Sequence, residues 1–189
     1  MKNKEPHKII IIGIQGAGKS TQGNLLSKKL DIPYLSTGHI FRQIAKEHTQ
    51  LGRYIKEVMN AGYLISDSKT LKIVTEYLQR PEYQEGYILD GFPRTLTQAK
   101  QFKNGINQVL YLKVSDKEAL WRLAYRGGNG ADVREDETLK AIIKRIELFH
   151  KFTEPVLHYY KDKKILVEIN GEQDIEDIHK EILKKIHAE

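Results

Sequence analysis

Short apolar runs alternate with amphipathic stretches along the chain. Residues 8–12 form a β-branched run stopped by Gly13, which predicts a buried strand. Residues 18–30 read as a helix with Leu25, Leu26 and Leu30 on one side, and 32–35 as a second short strand. Polar-rich helices follow over 40–49 and 53–60, around Gly52, then a helix over 68–79 with Leu71, Val74 and Leu78 at helical spacing. Residues 87–89 predict a strand ending at Asp90, 108–114 another strand, and 116–125 a helix. In 138–149, Leu139, Ile142, Ile143, Ile146 and Phe149 make one apolar stripe, and that helix is expected to continue, bent, through Pro155 to Tyr160. Residues 164–169 predict a last strand. Asp174 is then expected to cap a final helix with Ile175, Ile178, Ile182 and Ile186 inward.

Strands separated by helices imply βαβ units, hence an α/β fold with a parallel sheet covered on both faces. Ligands of such sheets bind outside the carboxyl ends of the strands. Gly13, Ser36 and Asp90 each follow a strand end, so they should meet at one rim. With no repeat, low-complexity tract or Pro- or Ser-rich linker, the 189 residues are expected to form a single domain.

Charge narrows the partners. The chain carries a net charge of +6, which favours anionic ones. Within its cations, 23 Lys stand against 8 Arg, so each Arg raises the question of fork-shaped recognition of phosphate or carboxylate. Cysteine is absent, which excludes disulfides, thiol nucleophiles and Cys-ligated zinc and fits a cytoplasmic setting. No apolar run approaches the ~20 residues of a membrane span, and the polar first eight residues predict no secretory signal.

Two segments carry chemistry. Gly13-Ile14-Gln15-Gly16-Ala17-Gly18-Lys19-Ser20 matches the phosphate-loop pattern G-x-x-x-x-G-K-[ST], and it follows a predicted strand and opens a predicted helix. Glycines let the backbone N–H groups cradle phosphate oxygens, and the helix N-terminus adds its positive dipole end. Lys19 is expected to reach the β/γ-phosphates, and the Ser20 hydroxyl to ligate Mg²⁺. In the second segment, residues 87–94, Asp90 at a strand end is placed for Mg²⁺ or its water shell. Gly91 there allows close approach of a ligand, and Arg94 offers a planar fork for phosphate.

With these motifs the chain resembles the adenylate kinase family of nucleoside monophosphate kinases, from about Ile9 to Ile186. The resemblance rests on Gly18-Lys19-Ser20-Thr21-Gln22, Leu35-Ser36-Thr37-Gly38, Gly62-Tyr63-Leu64-Ile65-Ser66-Asp67 and Asp90-Gly91-Phe92-Pro93-Arg94-Thr95 with Gln98. Arg122, Arg126, Arg134, Asp136 and Arg145 continue it. It implies a three-layer P-loop fold with a five-stranded parallel sheet, a helical monophosphate-binding insertion over about 36–65 and a short lid over about 127–133.

It also implies roles. Gly16, Ala17, Gly18, Lys19, Ser20 and Thr21 resemble the ATP phosphate loop, with Arg122 and Arg126 on the ATP side and Gln173 touching the ATP base through its backbone. Thr37 and Arg42 resemble AMP contacts; Tyr63, Leu64 and Ile65 line the AMP base; Arg94, in Gly91-Phe92-Pro93-Arg94, binds the AMP phosphate; Gln98 reads the adenine edge. Arg134 and Arg145 resemble the pair that closes over the transferring phosphoryl group. Ser20, Thr21 and Asp90 are the implied Mg²⁺ contacts, partly through water, and no zinc is expected.

The implied reaction is ATP plus AMP giving two ADP, by a cytoplasmic monomer that binds neither nucleic acid nor membrane. Catalysis should be positioning and preorganised positive charge from Lys19, Arg94, Arg126, Arg134 and Arg145, with Asp90 helping to hold Mg²⁺. The chain departs from the family pattern at Gln15, where proline is usual, at His39, where aspartate is usual, and at Ser20, a common glycine. Alternatives are a UMP/CMP-type kinase, against which Thr37 and Gln98 stand, and a catalytically weak nucleotide-binding paralogue, for which Gln15 and His39 speak.

Overall fold

Four successive isoleucines, Ile9, Ile10, Ile11 and Ile12, are at most 4 % exposed, as a strand covered on both faces requires. They lie in β1 (His7–Ile12), the centre of a five-stranded parallel sheet with β2 (Tyr34–Ser36), β3 (Gly86–Asp90), β4 (Gln108–Lys113) and β5 (Leu166–Asn170), in the order β2-β3-β1-β4-β5. In the computed structural model, residues 6–128 and 138–188 are described, with side chains as far as 125 in the first stretch. From β1 the chain first builds β2 and β3 on one side and then β4 and β5 on the other, so the crevice at the carboxyl ends opens beside β1.

Helices cover the sheet. α1 (Lys19–Leu30) packs on β1, β2 and β3 and against α9 (Ile175–Lys185), which also packs on β5. Buried Gln22 ties these helices by donating from Nε2 to Ile175 O at 2.9 Å. α5 (Leu96–Gln101) packs against α8 (Glu154–Asp162), which lies on β5. Between β2 and β3 stand α2 (Thr37–Ala45), α3 (Gln50–Asn60) and α4 (Asp67–Leu78). α2 and α3 form the expected helical insertion as a tight hairpin, in which a Cβ on Gly52 would meet Ile44 O and Glu47 O. α6 (Asp116–Gly128) follows β4, and α7 (Leu139–Leu148) leads into α8. Among the described residues, no helix is long and apolar enough to cross a membrane.

Several details correct the sequence expectations. α2 and α3 begin three residues earlier than their apolar patterns, because Ser36 and Thr49 accept from His39 N and Gly52 N and cap the helices there. α5 and a 3₁₀ turn over Pro81–Tyr83 are too short to show a period. The junction of α7 and α8 is a widened π turn, Phe149–Thr153, with Pro155 in the first turn of α8. The apolar stripe splits: Ile142, Ile146 and Phe149 are buried, whereas Leu139 and Ile143 are 68 % and 53 % exposed. Ile175 faces out at 56 % exposure, and Asp174 precedes α9 without a side-chain capping bond.

Candidate active site

The phosphate-loop motif becomes the turn from β1 to α1. Gly16 and Gly18 have φ of +92° and +85°, left-handed values that side chains resist. A Cβ on Gly16 would lie 2.7 Å from Ala119 O of α6, so the loop is pressed on that helix. Lys19 opens α1, and its Nζ folds back to donate to Ile14 O at 2.9 Å. The first N–H groups of α1 have no helical partner and, with the dipole, make a seat for anionic oxygens.

Asp90 ends β3 level with Ser36 of β2 and Ile11 of β1. Tyr34 Oη donates to its Oδ2 at 2.7 Å, while Oδ1 is buried with no hydrogen-bond partner among the described residues. A buried carboxylate oxygen without a donor is costly, and a hard cation or its bound water suits such an oxygen. Sequence reading missed Tyr34. Its trace was Gly23 inside α1, where the Tyr34 ring leaves no room for a Cβ.

Beyond Asp90 the chain turns at Gly91, with φ +82° and Thr37 Oγ1 where a Cβ would sit. Thr37 is buried and donates to Asp90 O at 3.0 Å. Arg94 Nε donates to Gly91 O at 2.7 Å. The Arg94 main-chain N–H donates to Gln98 Oε1 at 2.7 Å, and Gln98 Nε2 donates to Asp67 Oδ1 at 2.8 Å. Thr95 Oγ1 reaches the same Asp67 oxygen at 3.0 Å. An ionised Asp67 only accepts and a main-chain N–H only donates, so the Gln98 amide has one orientation. One of its N–H groups and one oxygen lone pair remain for a base edge.

Arg145 reaches in from α7, donating from Nη1 to Gln15 Oε1 at 3.2 Å and from Nη2 to Met59 O at 2.9 Å. Beside it, Lys144 Nζ stands 5.2 Å from the Tyr63 ring centroid. Thr153 of the π turn donates to Arg94 O at 3.0 Å, and Phe149 walls the cleft.

One cleft thus gathers Gly16, Gly18, Lys19 and Ser20 from the loop, Arg42, Tyr63, Leu64 and Ile65 from the insertion and its exit, and Arg145 from α7. Asp90, Gly91, Phe92, Pro93, Arg94 and Gln98 form its floor. Ala17, Thr21 and Thr37 adjoin the cleft without lining it: Ala17 and Thr37 are buried and Thr21 is exposed on α1. Arg122 and Gln173 do not line it. Arg122 Nε pairs with Glu118 at 2.7 Å along α6, and Gln173 Nε2 donates to Asn170 O at 3.0 Å. The Ser115 main-chain N–H, helped by Arg122, holds the neighbouring Glu172 carboxyl below its ordinary value. His39 is exposed, its ring on Gln43. Gly127 and Gly128, the first two residues of the expected lid at 127–133, end α6, while the Arg126 side chain, Arg134 and the rest of that lid lie outside the described residues. Among the described residues, no cluster of three or more His, Asp or Glu side chains could hold a metal by itself.

A glycine turn presenting helix N–H groups and a lysine at the rim of a parallel sheet defines a phosphate-loop protein, the class that fold and cleft establish together. Comparison with known proteins narrows this class. A sequence profile described as Adenylate kinase matches residues 11–165. Similar proteins include the adenylate kinase of Caldicellulosiruptor bescii, 34 % identical over 96 % of this chain and 100 % of its own. That of Archaeoglobus fulgidus is 34 % identical over 95 % of this chain and 99 % of its own, and that of Clostridium botulinum 35 % over 90 % and 94 %. The chain belongs to the adenylate kinase family of enzymes.

Proposed function

We propose that the protein transfers a phosphoryl group reversibly from ATP to AMP, giving two ADP. The observation that carries this reading is the convergence of Lys19, Asp90, Arg94 and Arg145 on one cleft beside the phosphate loop. An oxygen of the AMP phosphate attacks the γ-phosphorus as the bond to the β–γ bridging oxygen breaks, and that oxygen leaves with the electron pair as ADP. The nucleophile is already ionised, so no side chain need accept a proton.

The chain's work is then placement and charge. Lys19 exchanges Ile14 O for the β/γ-phosphate oxygens. The loop residues Gly16, Ala17 and Gly18 offer N–H groups, and Arg122, Arg126 and Gln173 attend the ATP side. Arg94 and Arg42 take the AMP phosphate, with Tyr63, Leu64 and Ile65 against its base and Thr37 nearby. Gln98 presents its remaining N–H and oxygen lone pair to the N1 and N6 of adenine. Arg134 and Arg145 meet the transferred group, and closing of the segments at about 36–65 and 127–133 excludes water.

The orphaned Asp90 Oδ1 and the hydroxyls of Ser20 and Thr21 suit Mg²⁺ held largely by substrate phosphates and water. When bound, the ion supplies neutralisation of donor phosphate charge. In the same reading the protein is a cytoplasmic monomer acting on free nucleotides, with the lack of cysteine supporting the compartment. A coupled assay with ATP and a panel of monophosphates tests the proposal. ADP should form with AMP as the preferred acceptor; no ADP, or a preference for UMP or CMP, would overturn it.

A further inference from the structure

Gln15 sits in the bend of the phosphate loop, between Ile14, whose carbonyl holds Lys19, and Gly16. Its carboxamide oxygen meets one end of the Arg145 fork, and the Met59 carbonyl in the last turn of α3 meets the other. One guanidinium on α7 is therefore held at the phosphate loop and at the insertion. All three groups line the same cleft.

An arginine side chain carries several free rotations, and ordering them costs entropy. Anchors that exist in the folded protein impose that order before any ligand arrives, which is what preorganisation requires. These two anchors are neutral oxygens. A phosphate oxygen makes a stronger, charge-assisted bond to a guanidinium than either does, so they aim the fork without competing for it. A carboxylate at position 15 would compete, and would repel phosphate as well.

We infer that Gln15 is a positioning residue for phosphoryl transfer: its carboxamide holds the Arg145 fork at the phosphate loop, where the transferred group must pass. The inference rests on the function proposed above. It locates part of this chain's preorganisation of Arg145 in a side chain of the phosphate loop, beside the main-chain carbonyl of Met59 in α3. Because Arg145 meets charge that develops during transfer, losing its aim should appear in kcat rather than in KM.

The experiment is a double-mutant cycle on the full chain. Gln15→Ala should lower kcat about tenfold, the size of one hydrogen bond to a charged group, with KM for ATP and AMP nearly unchanged. Gln15→Asn, whose amide is one methylene short, should behave alike. Gln15→Glu should in addition weaken binding of a bisubstrate dinucleotide polyphosphate, by calorimetry, by about tenfold. In an Arg145→Lys background, Gln15→Ala should cost nothing further. Equal losses in both backgrounds, an unchanged kcat in both Gln15→Ala and Gln15→Asn, or an effect confined to KM would overturn the inference while leaving the proposed function standing. A wild-type protein that makes no ADP from ATP and AMP would instead remove that function, and this inference with it.

Discussion

On one side of the cleft recognition is a property of main chain, and on the other of side chains in series. The phosphate loop owes its shape to positive φ at Gly16 and Gly18 and to the carbonyl of Ala119 behind it. Nothing in that geometry depends on which nucleotide is bound. Across Asp90, Gln98 is oriented by Asp67 and by the Arg94 main chain, Thr95 braces Asp67, and Thr153 holds the Arg94 carbonyl. A site made of backbone gives strength to any polyphosphate; a site made of linked side chains can choose among bases. In the function proposed above, the difference assigns catalysis and selectivity to opposite walls.

Lys19→Ala sharpens that contrast most. It should lower kcat by on the order of 10²-fold or more, as loss of a preorganised charge donor does, and by the same factor with every acceptor. A changed acceptor ratio in this variant would break the division. Gln98→Leu should do the converse. It leaves Asp67 and the Arg94 N–H without their amide partner, so stability should fall by about 1–3 kcal/mol. Selectivity for AMP over pyrimidine monophosphates should drop about tenfold, one hydrogen-bonding edge being worth roughly that much, as initial rates would show; an unchanged ratio would remove Gln98 from base reading.

Tyr34→Phe probes the floor between the walls. It deletes the donor to Asp90 Oδ2 and should reduce kcat about threefold, with the magnesium concentration at half-maximal rate rising in step. Smallest is a contact that lines neither wall. His150 lies between Glu154 and Asp116, with Nε2 at 2.9 Å from Asp116, and these partners, Glu154 first, raise its pKa above the ordinary 6.5. A raised folded pKa contributes stability that is complete below 6.5 and fades as pH rises through the folded value. His150→Gln should therefore lower Tm at about pH 5.5 and leave it unchanged at about pH 9. A loss equal at both would show a role without charge.

Legibility divided along the same line. The sheet and the phosphate loop could be read from the chain, because each is written in contiguous residues: an isoleucine run, a glycine spacing, a lysine at a helix start. Asp90 and Arg94 came with a strand end. What could not be read is pairing at a distance. Tyr34 and Asp90 are 56 residues apart, and Gln15 and Arg145 are 130 apart. No period connects such positions, and only the folded sheet brings them together. The outward-facing Leu139 and Ile143 failed for a related reason, since an apolar stripe says which residues share a helix side and not how much of it a neighbour covers. Arg122 and Gln173, whose roles came from resemblance alone, do not line the cleft and bond to Glu118 and Asn170.

The widened turn at Phe149–Thr153 has one more consequence. A π turn holds one residue more than the α-helical count, and each residue of a helix rotates the rest of that helix by about 100°. α7 brings Arg145 into the cleft, and α8 lays its apolar side on the sheet. The extra residue sets the angular phase between those two duties, so a single deletion there would restore a regular helix and leave one of the two facing the wrong way.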